Sequence, residues 1–133
     1  MSLFKKRPKE EPAAKEPPKE YSFTLSNGFR GYKKFPIVIH GNQEAEQNNE
    51  RLKDADLRGK PILFREETAP SGQKYLSVYI SGLRAGAVFD NSQIQQITQG
   101  QIEAVFAKME AETVIDKGGP LTRQRVRLFA KYS

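Results

Sequence analysis

The sequence has no cysteine, no tryptophan, a single histidine, and no apolar run near the roughly 20 residues that span a bilayer. Without cysteine there is no disulfide, no thiolate zinc site and no cysteine nucleophile. With one histidine, a Ser-His-Asp triad or a His-rich metal site would have to be built around His40. His40 ends an apolar stretch with no acid beside it, so it reads as a structural or edge histidine. Glu66 and Glu67 are neighbours, and neighbours in a strand point to opposite faces, so they cannot share a substrate atom. Asp54 and Asp56 fall in a polar segment and read as solvated. The glycines of GLRAG (82–86) lack phosphate-loop spacing and the Lys-Ser/Thr end. These absences lead to the expectation of a protein that is not an enzyme and holds no metal and no cofactor. MSLFKKRP turns charged before any secretory apolar region can form, and residue 2 is serine, so the myristoylation pattern is missing. A cytoplasmic location without a membrane span is the expectation.

What is present divides in two. Residues 1–20, MSLFKKRPKEEPAAKEPPKE, hold four of the eight prolines and ten charged side chains, with no large apolar residue after Phe4. Such a segment cannot bury enough surface to offset the entropy of ordering it, so a disordered tail is expected. Residues 21–133 are then a single domain. Of the net charge of +6, the tail carries +2, from six Lys/Arg against four Glu; sixteen against twelve leave +4 on the rest. A basic balance of this size permits a nucleic acid, an anionic surface or an acidic protein as partner and selects none of them.

Period-two alternation dominates residues 21–133. YSFTL (21–25), FPIVIHG (35–41), PILFREE (61–67), KYLSVYIS (74–81), Arg84–Phe89, residues 101–115 and TRQRVRLFAKY (122–132) read as strands. TAPSGQ (68–73) supplies hairpin chemistry, Gly82 breaks the next pair, and Gly86 allows a bulge or a close backbone approach. DNSQIQQITQG (90–100) reads as a short helix capped by Asp90, Asn91 or Ser92, with Ile94 and Ile97 inward and Gly100 ending it. Part of the polar stretch 42–60 reads as a second helix lying over a barrel opening or sheet edge. The fold class expected is mainly β: a small, partly open β-barrel of OB or SH3-like kind with one or two short helices.

One surface pattern carries a functional expectation. Arg123, Arg125 and Arg127 stand at i, i+2 and i+4, which in a strand puts three guanidinium groups on one face, successive ones about 6.5–7 Å apart. Tyr75 and Tyr79 face outward on another strand. With Arg84, these residues define a candidate nucleic-acid-binding face, arginines for phosphates and tyrosines for stacking of a single strand. That expectation depends on an arginine row that is outward and unneutralised. Carboxylates on adjacent strands, matched to each guanidinium, would leave a scaffold with no inferred ligand. The alternative is a protein–protein adaptor, in which an exposed sheet edge accepts an added strand.

The order FPIVIHG, PILFREETAPSGQKYLSVYISGLRAGAVFDNSQIQQITQGQIEAVFAKME and VRLFAK resembles a HIRAN domain over about residues 35–131. That family is a small β-barrel found alone or fused to DNA-repair helicases. Arg65 and Glu66 take the family's Arg-Glu places, Pro70 the hairpin proline, Leu76 and Val78 the following apolar places, and Gly86 the family glycine. The resemblance implies the barrel and a nucleic-acid role, with single-stranded DNA or another nucleic acid as the partner. Gly72 stands where the family has the hairpin aspartate that helps hold a DNA 3′ end, Lys74 replaces its asparagine and Tyr75 its alanine. Asn42-Gln43-Glu44 replaces the family's Arg-Gln. The side chains for gripping a 3′ terminus are therefore not carried over.

Overall fold

The computed structural model describes residues 18–31 and 33–133. Most of the expected tail, residues 1–17, lies outside the described residues. Seven strands and two helices follow one another as β1 (Glu20–Thr24), β2 (Phe35–Ile37), α1 (Gln43–Leu52), β3 (Pro61–Thr68), β4 (Lys74–Ile80), β5 (Leu83–Val88), α2 (Asn91–Thr98), β6 (Ile102–Asp116) and β7 (Gly119–Tyr132). All pairings are antiparallel. One sheet has the order β1-β3-β4-β5 and the other β2-β7-β6.

The alternation read from the sequence is the alternation of burial. Ile62 and Phe64 of β3, Leu76, Val78 and Ile80 of β4, Val105 of β6 and Val126, Leu128 and Ala130 of β7 meet in one core between the sheets. Each large aliphatic side chain so enclosed contributes about 1.5–3 kcal/mol over its exposed state. Ser81 and Gly82, at φ 51° and 82°, turn β4 into β5, the pair of positive φ angles that suits a two-residue hairpin. Residues 101–115, ambiguous between helix and strand by composition, are strand, because β7 offers them a partner along their whole length.

The two sheets are not closed into a barrel. They touch along two seams, each very short. On one side, His40 and Ala87 exchange both backbone hydrogen bonds at 2.8 Å. On the other, the Ser26 N–H donates to the Val105 carbonyl at 2.9 Å. The run FPIVIHG keeps β pairing with β7 only to Ile37. On the opposite edge of this run the Gln93 side chain of α2 takes the backbone, accepting from the Val38 N–H and donating to the Pro36 carbonyl, each at 3.0 Å. Gly86 sits at the first seam. A Cβ there would stand 3.0 Å from the His40 carbonyl oxygen, and its φ of +153° already disfavours other residues. The β4–β5 register shifts beside it, between Val78 and Tyr79.

The helix α1 fills the gap between β5 and β7. Asn42 caps it by accepting from the Ala45 N–H at 2.9 Å. Its inward face has one small residue, one large aliphatic and two asparagines: Ala45, Leu52, Asn48 and Asn49 are buried. Asn48 donates to the Arg84 carbonyl of β5 at 2.9 Å, and Asn49 accepts from the Val126 N–H of β7 at 3.0 Å. Glu50 accepts from the Gln124 N–H at 3.0 Å. A polar helix is thus the clasp that satisfies backbone groups of both sheets.

Candidate functional site

The six residues singled out by sequence fall on two surfaces. Tyr75, Tyr79 and Arg84 belong to the outer face of the four-stranded sheet, opposite Leu76, Val78 and Ile80. Arg123, Arg125 and Arg127 belong to the outer face of the three-stranded sheet, opposite Val126 and Leu128.

The arginine row is outward, and each member has a carboxylate. Arg123 lies 2.9 Å from Glu46 of α1, Arg125 3.2 Å from Glu112, and Arg127 3.8 Å from Glu110. Arg125 also donates to the Ile39 carbonyl at 2.9 Å, which ties it to the segment after β2. The register explains the pattern, since Glu112 and Glu110 of β6 stand opposite Arg123 and Arg125 on β7. Alternation at i, i+2 and i+4 put glutamates and arginines on one face of neighbouring strands, and cross-strand attraction pairs them. The row therefore gives no argument for an anionic ligand by itself. Arg84 donates to Ser77 at 3.4 Å and so is not aligned with that row.

The tyrosines are engaged as well. The Tyr79 ring has the Arg65 guanidinium 5.0 Å from its centre, and Arg65 in turn is 2.9 Å from Glu20. The Glu20 carboxylate raises the Arg65 pKa further above its ordinary value. These residues border an open groove of about 400 Å³ with Ser22, Leu63 and Gly82. Tyr75 donates to Glu67 at 3.2 Å. Desolvation, then the Glu67 charge, pushes the Tyr75 hydroxyl pKa upward.

Two residues give Tyr75 a setting that alternation does not reveal. Phe89 stacks on it with ring centres 5.3 Å apart, and His40 lies 5.9 Å from Phe89. Three rings from β4, the end of β5 and the segment after β2 form a surface row across the first seam. His40 also lines a groove of about 290 Å³ together with Ile37, Ile39, Arg125, Val126, Arg127 and Leu128. The signal for Phe89 was its place after Val88, where a strand ends and an apolar residue is left outside.

Among the described residues, no group of His, Asp or Glu could hold a metal ion, and no helix is long and apolar enough to cross a membrane. Glu66 and Glu67 are apart, the first 3.4 Å from Lys74, the second bound to Tyr75. No protein-family model, no curated protein and no solved structure matches the chain.

The site with the clearest unmet bonding capacity is an edge. On β7 the outward N–H groups of Gln124 and Val126 are taken by Glu50 and Asn49, and Phe35–Ile37 pairs with 128–130. On β6 the outward groups belong to odd-numbered residues, as the Ser26–Val105 bond fixes. After Val105 these are Ala107, Met109, Ala111, Thr113 and Ile115, which face no neighbouring strand among the described residues, where β6 ends its sheet.

Proposed function

We propose that the chain is a non-catalytic protein–protein adaptor that takes up an extended segment of its partner along the outer edge of β6. The observation that carries this is the row of outward backbone groups from Ala107 to Ile115, which meets no strand among the described residues. An added strand gains main-chain hydrogen bonds there, and its alternate side chains meet Ala107, Met109 and Ala111 on one face and Lys108, Glu110 and Glu112 on the other. Natural proteins usually blunt such an edge. The proposed architecture is a partly open barrel of the HIRAN kind. Its support is the pair of seams at His40–Ala87 and Ser26–Val105 and the strand–hairpin–strand–helix–strand order. The test is to pan a displayed random-peptide library on the protein. Binders should alternate apolar and polar residues, survive nuclease and moderate salt, and be lost on Ala111→Pro. Binders indifferent to that proline would refute the edge as the site.

A second reading, weak binding of an unpaired nucleic-acid strand, is favoured by the ring row. Tyr75, Phe89 and His40 would stack bases, and Arg127 would reach phosphate by leaving Glu110, since exposed ion pairs are worth about 0–1 kcal/mol. Arg125, Arg84, Arg123 and Tyr79 would add to it only after giving up their present partners. On this reading Phe89→Ala with Arg127→Glu lowers single-strand affinity at low salt. Unchanged affinity leaves the adaptor reading alone.

A further inference from the structure

The end of the β6–β7 hairpin stands clear of the core. Between Lys108 and Arg125 no described residue is buried, although the strand pairing continues to Asp116 and Gly119. The sequence there, TVIDKGGPLT, is not what solvent alone would select. Ile115 is 80% exposed and Leu121 49%, two of the four large apolar side chains left outside among the described residues. Val114 stands opposite Leu121 in the register. Leu121 and the half-buried Val114 share one face of the hairpin and Ile115 lies on the other, together on the order of a few hundred Å² of apolar surface. They sit on a narrow convex turn, short of the roughly 800 Å² per partner that a stable protein interface uses.

The face that carries Val114 and Leu121 becomes cationic toward the base of the hairpin. These two share it with Phe106 and Phe129, by alternation along each strand. Lys34 lies 5.5 Å from the centre of the Phe106 ring. Lys108, Arg127 and Lys131 are on this face too, so four cations stand against two carboxylates, Glu103 and Glu110. Arg123 and Arg125 are matched by Glu46 and Glu112 and add nothing to the excess. From Lys108 to Val114 is about 20 Å along the strand, so a flat surface can meet both ends together.

We infer that this face of the hairpin docks on an anionic lipid surface, with Val114 and Leu121 entering the headgroup layer and the basal cations against lipid phosphates. Apolar insertion and attraction to anionic headgroups reinforce each other in such docking. Aliphatic side chains at the point offer no ring on which a base could stack, which favours lipid over a nucleic-acid strand. The docking face leaves the β6 edge open, so it is separate from the adaptor reading.

The experiment is co-sedimentation of the full chain with phosphatidylcholine vesicles, with and without phosphatidylserine, at low salt. The protein should pellet with the anionic vesicles and remain in solution with the neutral ones. Val114→Asp with Leu121→Asp should weaken binding by roughly tenfold or more. Lys34→Glu with Arg127→Glu should weaken it also, and Ala111→Pro, which acts only on the strand edge, should leave it intact. The chain has no tryptophan, so Leu121→Trp reports on the tip alone. Its emission should shift to the blue with anionic vesicles. Absence of pelleting overturns the inference, and so does single-strand nucleic-acid binding in its place. So too does pelleting that the Asp pair leaves unchanged or that leaves the tryptophan emission of the Leu121→Trp variant unshifted, since the basic amino-terminal residues would then be doing the binding.

Discussion

The two edges of the long hairpin have opposite fates. Both strands expose a row of outward backbone groups of similar length. On β7 that row is met by β2, by Asn49 and by Glu50. On β6 it is met at Val105 by Ser26, and among the described residues no strand continues beyond. A backbone edge can be silenced by a helix whose side chains copy a strand's acceptors, and a protein with one such helix can silence only one edge.

The comparison can be broken most severely at the shared ladder. The Glu110 N–H points toward β7, so Glu110→Pro should cost about 2–3 kcal/mol in chemical denaturation. The neighbouring Ala111→Pro, whose missing N–H points outward, should cost under about 1 kcal/mol. Equal costs would mean that the outward set has been assigned to the wrong residues. Next in size is the clasp. Asn49→Ala leaves the buried Val126 N–H without its acceptor and should destabilise by about 2 kcal/mol. Thr113→Ala on the open edge should change stability by less than about 0.5 kcal/mol. Amide exchange should follow the same division, with Val126 protected and Thr113 among the fast set.

The smallest effect is electrostatic. The hydrogen bond from the Gln124 N–H, ahead of the Lys53 contacts, lowers the Glu50 pKa below its ordinary value. A carboxyl depressed on folding contributes stability that is complete above its unfolded pKa and is lost as pH falls through the folded one. The wild-type protein should therefore lose part of this edge contact on acidification, and Glu50→Gln, which does not titrate, should show a shallower acid limb by circular dichroism. Asp56, lowered to about 2 chiefly by its hydrogen bond from the Arg58 side chain, contributes equally in both proteins and sets the background.

Much of the fold was legible because the side-chain period is a local property. The strands, the inward residues of α2, the cap at Asp90 and the close approach at Gly86 follow from neighbours in the chain. Part of the polar stretch 42–60 was read as a thin-edged helix over a barrel opening or a sheet edge, and α1 lies against β5 and the edge of β7. Its buried Asn48 and Asn49 were not anticipated, since their value lies in acceptors and donors on β5 and β7 that are distant in sequence. The partly open barrel was expected from the number of strands, their one-sided alternation and the family resemblance. The strands form two antiparallel sheets joined by very short seams, and beside the His40–Ala87 seam Gln93 takes the Val38 and Pro36 backbone groups. The candidate site was less legible. Alternation told that Arg123, Arg125 and Arg127 point outward, yet the Glu46 that meets Arg123 comes from α1, and the Glu112 and Glu110 that meet Arg125 and Arg127 lie across a register that no local pattern fixes.

By itself, the sequence determined which residues alternate, which cannot be buried, and which chemistries are absent, since these depend on side-chain type and spacing. The tertiary structure alone decided which charges cancel, which rings meet and which strand edge stays open. Those outcomes depend on partners brought together across the chain, and the register that joins them is set by the packing of the whole core.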